Sequence, residues 1–312
     1  MKIPDSSQLY NAVLQKKPLL TNYGDIDHGK YFIPERLTQL YHTPAYSLLS
    51  PQQQLRYNQL FAIRAIEQLM TLEARFIALV LARTKKSTRV KADKELVYCM
   101  QEMAVEEEQH YQMFLKLNKL AEPGIYKNAD MHFAKITVLE GTVLHLLSKT
   151  PGISLFLLWI LLILEEFSTC ISKQMLENSV PQEQETELEP NFVQVHREHL
   201  KDESRHVAIC ANLLSKLIRH SSNTTIRLNR FILNKFMTDY MTPKRGGIRV
   251  INKLVEEFPE LLVHKQTIID SIKSQKQDKV IFDSIQNPKL MPFSHKLFQQ
   301  YPDFCFIDPV HN

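Results

Sequence analysis

An all-α helical bundle is the fold class this sequence predicts, and three observations carry it. Apolar residues recur at helical spacing over long segments, as at Leu55, Ile63, Ile66, Leu69, Met70, Ile77, Val80 and Leu81. Only 7 glycines occur in 312 residues, which suits long helices and tight loops better than a strand-rich or phosphate-loop architecture. No competing strand pattern runs through the chain.

The elements follow in order. Residues 1–49 are irregular, punctuated by Pro4, Pro18, Pro34 and Pro44, and read as a wrapping N-terminal arm with one short helix. Ser50 and Pro51 open a long helix: serine caps it, proline fits its first turn, and Gln53 completes a capping box. Its period holds to about Arg83. A basic loop (Lys85, Lys86, Arg89, Lys91) leads to a second helix over roughly 92–121, closed by Pro123 and Gly124. A third spans about 129–149 and stops at Pro151 and Gly152. The fourth, about 153–178, is strongly apolar. After a polar, acidic loop (Gln182 to Glu189), Pro190 begins a fifth helix ending near His220. A sixth, about 223–241, stops before Pro243, and beyond Gly246 and Gly247 come one or two shorter helices and a Pro-rich tail. The expected layout is one domain over 1–312: an arm (1–49), a core bundle (50–220), then C-terminal helices and tail (221–312).

Composition excludes several classes. Hydrophobic residues at 44% and charged residues at 23% are ordinary for a globular chain. A net charge of +4 is too mild to imply nucleic acid. Cys99, Cys170, Cys210 and Cys305 lie far apart and form neither a disulfide framework nor a Cys-x-x-Cys zinc site, so a reduced cytoplasmic setting is expected. The N-terminus, with Asp5, Gln8 and Asn11, lacks the apolar core of a signal peptide. Ile153 to Leu164 is apolar apart from Ser154, but is short for a bilayer span and runs into Glu165 and Glu166, so no membrane span is expected.

Two motifs carry the chemistry. Glu107-x-x-His110 and Glu203-x-x-His206 are the only two Glu-x-x-His spacings in the chain. In the second, His199, Glu203 and His206 stand at i, i+4 and i+7, on one helix face. Each motif follows a helix with a candidate glutamate. Glu73 lies among Leu69, Met70, Phe76 and Ile77 and so faces inward, with Glu67 the alternative. Glu165 or Glu166 ends an unbroken apolar run. Burying such a carboxylate unpaired costs several kcal/mol, so a metal or another cation is required. Dinuclear bundles use this pattern, one glutamate from each of two helices and Glu-x-x-His from each of two others. The separations, 34 residues from 73 to 107 and 38 from 165 to 203, suit two antiparallel helix pairs. His199 is a seventh candidate beyond the minimal six, and His196 sits one turn before it. Taken singly, Glu106-Glu107-Glu108 could be a solvated face and both histidines surface residues. The joint pattern outweighs those readings.

These residues resemble the p-aminobenzoate N-oxygenase family of di-iron enzymes. The resemblance covers roughly 30–240 and rests on Glu73, Glu107-x-x-His110, the Glu165-Glu166 pair and His199-x-x-x-Glu203-x-Arg205-His206. It implies a ferritin-like or ribonucleotide-reductase-like bundle holding two iron ions, with dioxygen as co-substrate; manganese accepts the same ligands. It implies oxidation of a small-molecule amine to a hydroxylamine, nitroso or nitro product, with Glu107, Glu203 and His199 as the catalytic set. Glu73 and His110 would serve one ion, Glu165, His199 and His206 the other, while Glu107 and Glu203 bridge or chelate. The resemblance favours Glu165 over Glu166, and the acidic insertion near 180–189 lengthens the spacing to His199. Arg205 would brace the carboxylates. An external electron donor or reductase is implied, since no flavin or iron–sulfur motif is present.

The substrate is not legible. Tyr98, Tyr111, Phe114 and Phe167 are candidate pocket residues, although core packing is the plainer reading of each. Arg219 to Lys253 holds eight basic residues (Arg219, Arg227, Arg230, Lys235, Lys244, Arg245, Arg249, Lys253) against one acid, Asp239. That stretch could anchor a substrate carboxylate, dock an acidic carrier protein or, more simply, form a solvated basic face. The enzymatic rival keeps the metals but hydroxylates or desaturates a carrier- or lipid-bound chain. Iron storage and a metal-free helical interaction protein are the remaining alternatives. Bundles of this kind often form homodimers, which is a prior and not a reading of this sequence.

Overall fold

The computed structural model describes residues 2–19, 21–134, 146, 149–150, 152–177, 187–240, 245–275 and 278–305. Among these there is no strand, only an isolated bridge between Tyr31 and Leu188. The expected helix over 129–149 and the acidic loop fall largely outside the described residues, as does the end of the tail.

The arm contains helix α1 (Ser6–Leu14) and three 3-10 turns, Glu35–Leu37, Leu40–His42 and Pro44–Leu48. It is anchored rather than loose: Asn58 Oδ1 accepts from the backbone N–H of Phe32, and Phe32 and Leu40 are fully buried. Helix α2 (Pro51–Thr71) starts as its sequence dictates. Ser50 Oγ accepts from the Gln53 N–H, and Gln53 Oε1 accepts from the Ser50 N–H at 2.9 Å. The long helix expected to about Arg83 is not uniform. It widens into a π-helical segment, Leu72–Ile77, before resuming as α3 (Ala78–Thr84). Insertions of this kind often accompany functional sites, and this one carries Glu73.

After the short α4 (Thr88–Lys91) comes α5 (Lys94–Ala121), capped by Asp93, which accepts from the Leu96 N–H. Then follow α6 (Ser154–Glu177), α7 (Pro190–Ile218), capped by Glu189, and α8 (Asn223–Tyr240). Beyond these lie four helices where the sequence suggested one or two: α9 (Arg245–Glu257), α10 (Lys265–Ser274), α11 (Lys279–Gln286) and α12 (Pro292–Gln300). The prolines read as tail residues partly start helices: Pro292 occupies the first turn of α12 and Pro259 opens a 3-10 turn.

Helix α6 is longer than its apolar run. By length and composition it could cross a bilayer, yet 78% of its most apolar stretch is buried inside the protein. It packs along α7 and against α3, α8, α11 and α12. Trp159 stacks on Phe298 of α12 at 4.8 Å and lies 5.5 Å from Phe304, tying the C-terminal segment to α6.

Two apolar clusters fill the bundle, and the site helices cross from one to the other. On α5, Leu96 to Met103 belong to the first cluster and Met113 to Ala121 to the second. Helix α6 runs the same way, from Leu155–Ile163 to Met175, whereas α7 runs oppositely, from Phe192–Val195 to Val207–Ile218. Helix α2 also starts in the second cluster, and its π-helical continuation ends in the first at Ile77. Between the clusters each helix places buried polar residues: Glu73; Glu106, Glu107 and His110; Glu165, Ser168 and Ser172; His196, His199, Asp202, Glu203 and His206. The polar belt is therefore sealed at both ends by hydrocarbon.

Candidate metal centre

All seven residues singled out by spacing are buried together, each at 2% exposure or less: Glu73, Glu107, His110, Glu165, His199, Glu203 and His206. Ligand atoms of Glu107, His110, Glu203 and His206 all lie within 4.8 Å of one another, and so do those of Glu73, His110 and His199. His206 Nδ1 is 2.8 Å from Glu107 Oε1 and 3.3 Å from Glu203 Oε1. His110 Nδ1 is 3.5 Å from Glu203 Oε1 and 3.8 Å from Glu107 Oε2. His199 enters through its other nitrogen, Nε2, which lies 3.1 Å from both Glu73 Oε1 and Glu203 Oε1. It thus stands with Glu73 and His110, whereas the resemblance had grouped it with Glu165 and His206. Glu165 lies outside those two groups of ligand atoms, but it faces the Glu107 and Glu203 carboxylates. Ser168 Oγ donates to Glu203 Oε2 at 3.0 Å.

Whether these residues fit metal ions can be judged from their unmet bonding. Although several of them face one another closely, Glu73 Oε2, both Glu107 oxygens, His110 Nδ1, Glu165 Oε1, Glu203 Oε1 and His206 Nδ1 are buried without a well-directed hydrogen bond among the described residues. Buried polar atoms are seldom left so, and six of the seven residues share the defect. Fully ionised, the four carboxylates would carry four negative charges, the balance of two divalent cations. The donor set of carboxylate oxygen and imidazole nitrogen suits iron or manganese. The residues fit.

Electrostatics express the same demand. Burial raises Glu73 to about 7 against the pull of His199. Burial, reinforced by Glu107 and Glu203, pushes Glu165 well above the usual range. For Glu203, burial is overcome by the His199 and His206 imidazoles, which hold it well below that range. Burial alone would lower His110, yet Asp202 and Glu107 raise it to about 9; Glu203 and Glu73 likewise raise His199 to about 10. Positive charge is wanted at this point, and protons supply it where metal ions would.

Spacing alone did not assign roles to two carboxylates. Glu106 Oε2 lies 2.8 Å from His206 Nε2, and Asp202 Oδ2 lies 3.4 Å from His110 Nε2. Each is the residue before a motif glutamate, so the signal was present as Glu106-Glu107 and Asp202-Glu203. Arg205 braces both, donating to Glu106 Oε1 at 2.9 Å and Asp202 Oδ1 at 2.8 Å. Of the Glu106–Glu108 run only Glu108 is exposed, and His196 is as buried as its neighbours.

The alternative glutamates are engaged elsewhere. Glu67 accepts from Tyr126 Oη and from the backbone N–H groups of His132, Phe133 and Ala134. Glu166 accepts from the N–H groups of Phe293 and Ser294, serving as a cap for α12 from another helix. Among the pocket candidates, Phe114 is fully buried with its ring 5.0 Å from His199. Tyr98 packs on Tyr10 instead. Tyr111 and Phe167 are partly exposed. The basic stretch is not one cationic face: Arg230 pairs with Asp303, Arg249 donates to Phe133 O, and Lys253 lies beside Glu256 and Glu257. Lys244 lies outside the described residues.

Fold and site together define a helical bundle with a buried carboxylate–histidine group of the kind that binds a pair of metal ions. The family model described as p-aminobenzoate N-oxygenase AurF matches residues 21–284, and the chain belongs to that family. No curated protein matches the chain at a significant level.

Proposed function

We propose that this protein is a di-iron N-oxygenase acting on a small-molecule amine. The observation that supports it most is the set of buried atoms without a well-directed hydrogen bond on six of the seven expected residues, in a chain of this family. The ligands would be Glu73, Glu107, His110, Glu165, His199, Glu203 and His206, with Glu107 and Glu203 central because each lies near more than one histidine. A bound pair of ferrous ions would supply the activation of dioxygen. In the first oxidation the amine nitrogen gains one oxygen atom and the other leaves as water, with two electrons and two protons drawn from an external donor.

The chain's own contribution is geometric and electrostatic. Glu106 and Asp202 orient the His206 and His110 rings from outside, fixing which nitrogen faces inward. The two apolar clusters keep bulk water from the belt. Phe114 forms an apolar wall beside His199.

The test is metal content per chain, followed by oxygen uptake with primary amines and with acyl thioesters compared. Two irons and amine-dependent uptake are expected. Uptake with thioesters alone would replace this reading by carbon oxidation. Absence of bound metal would overturn it.

A further inference from the structure

The three candidate histidine ligands are not held alike. His110 and His206 each present Nδ1 to the centre and lean their Nε2 on a carboxylate. His199 is reversed: Nε2 faces Glu73 and Glu203, and Nδ1 lies 3.1 Å from Ser172 Oγ. The same hydroxyl lies 3.0 Å from His196 Nδ1. Ser172 is fully buried on α6, and both histidines are on α7.

Proton counting makes this arrangement directional. A serine hydroxyl has one proton to donate, and here two imidazole nitrogens face it. One nitrogen must therefore bring its own proton. To offer the Nε2 lone pair to a metal, a neutral His199 carries its proton on Nδ1. That N–H donates to Ser172 Oγ, and the Ser172 O–H donates to His196 Nδ1. Every member is then satisfied. In the opposite polarity His196 brings the proton, Ser172 donates to His199 Nδ1, and His199 keeps its hydrogen on Nε2, where it cannot ligate.

We infer that Ser172 and His196 are positioning residues that hold His199 in its metal-ligating tautomer. The inference rests on the di-iron reading above and adds to it two residues outside the ligand set. The outer partner of His199 is thus a neutral hydroxyl, where His110 and His206 each have a carboxylate.

The experiment uses zinc(II), a diamagnetic probe, on the full chain. Nitrogen-15 spectra of the histidine rings report tautomers directly, and titration reports the affinity for each ion. In the zinc-loaded wild type, His199 should carry its proton on Nδ1 and His196 on Nε2. Ser172→Ala should lose about 10-fold or more in affinity for one ion, with the His110 and His206 signals in place and His196 no longer held in one tautomer. Ser172→Thr, which keeps the hydroxyl, should recover the affinity. His196→Ala should weaken the same ion, and it covers the case in which a position-172 variant fails to fold. A merely structural serine would leave the His196 tautomer untouched. His196 protonated on Nδ1 in the loaded protein, or wild-type affinity for both ions in both alanine variants, would overturn the inference. A wild type that binds no ion would instead overturn the di-iron reading, and this inference with it.

Discussion

Glu106 holds the outer nitrogen of His206 at 2.8 Å, so a histidine on α7 is oriented by a carboxylate on α5. The relation is reciprocal, since Asp202 on α7 reaches His110 on α5. Each motif glutamate turns inward while the acid before it crosses to the opposite helix. Arg205 links the two crossing acids, and Lys16, just beyond α1, reaches Glu106 at 3.2 Å. The arm is thereby joined to the framework that aims the histidines.

This framework should be measurable through metal affinity. Glu106→Gln and Asp202→Asn are each expected to weaken iron binding by about 10- to 100-fold while leaving the helical content unchanged. The larger loss should come from Glu106, whose contact is shorter than the 3.4 Å of Asp202. Anaerobic iron(II) titration checks both; undiminished affinity in the pair would show that the rings are held by packing alone.

Glu165 and Glu166 should behave oppositely. Glu165→Gln removes a carboxyl that burial and its acidic neighbours push well above the usual range. The metal-free variant should therefore unfold at a higher temperature than wild type at pH 7, yet bind one ion fewer. Glu166→Gln should keep both ions, because that side chain caps α12 instead. Ion counts per chain and melting curves decide the matter.

Glu166 also gives a pH dependence with a definite sign. Burial raises its folded value to about 6 from 4.5, despite the opposing hydrogen bonds from Ser294 and Phe293. The folded state thus binds the proton more tightly than the unfolded chain. Stability conferred by that proton is fully present below 4.5 and is lost as pH rises through about 6. Between these limits wild type should lose about 2 kcal/mol relative to Glu166→Gln, read from urea midpoints at several pH values. A constant difference across that window would disprove the linkage.

Glu67→Ala should destabilise the protein by about 3 kcal/mol or more, because three backbone N–H groups and Tyr126 Oη lose their acceptor. Two ions should still bind to the folded fraction. A loss of ions without a loss of stability would return Glu67 to the ligand set.

Much of this was legible in the sequence because helical spacing is local information. The i, i+4, i+7 row and the two Glu-x-x-His motifs need only a helix to place their side chains on one face. The roles of Glu166 and Ser172 were not legible, since each is set by a partner on another helix: Phe293 is 127 residues from Glu166, and His199 is 27 from Ser172. The C-terminal helices were underread because proline marks a helix start as readily as a stop. The π-helical turn has no compositional signature at all.

That turn has a consequence for what the chain can tolerate. A single residue added to or removed from an α-helix rotates everything beyond it by about 100°. The wide turn at Leu72–Ile77 absorbs such an offset, so that Met70, Glu73 and Val80 are all buried where they stand. Deleting one residue there would leave a smoother helix and a worse protein. Either Val80 and Leu81 would swing away from their apolar cluster, or Glu73 would leave the polar belt. An evolving sequence can exchange the exposed side chains of this helix, but it cannot change its length there by one without losing the alignment between the two ends.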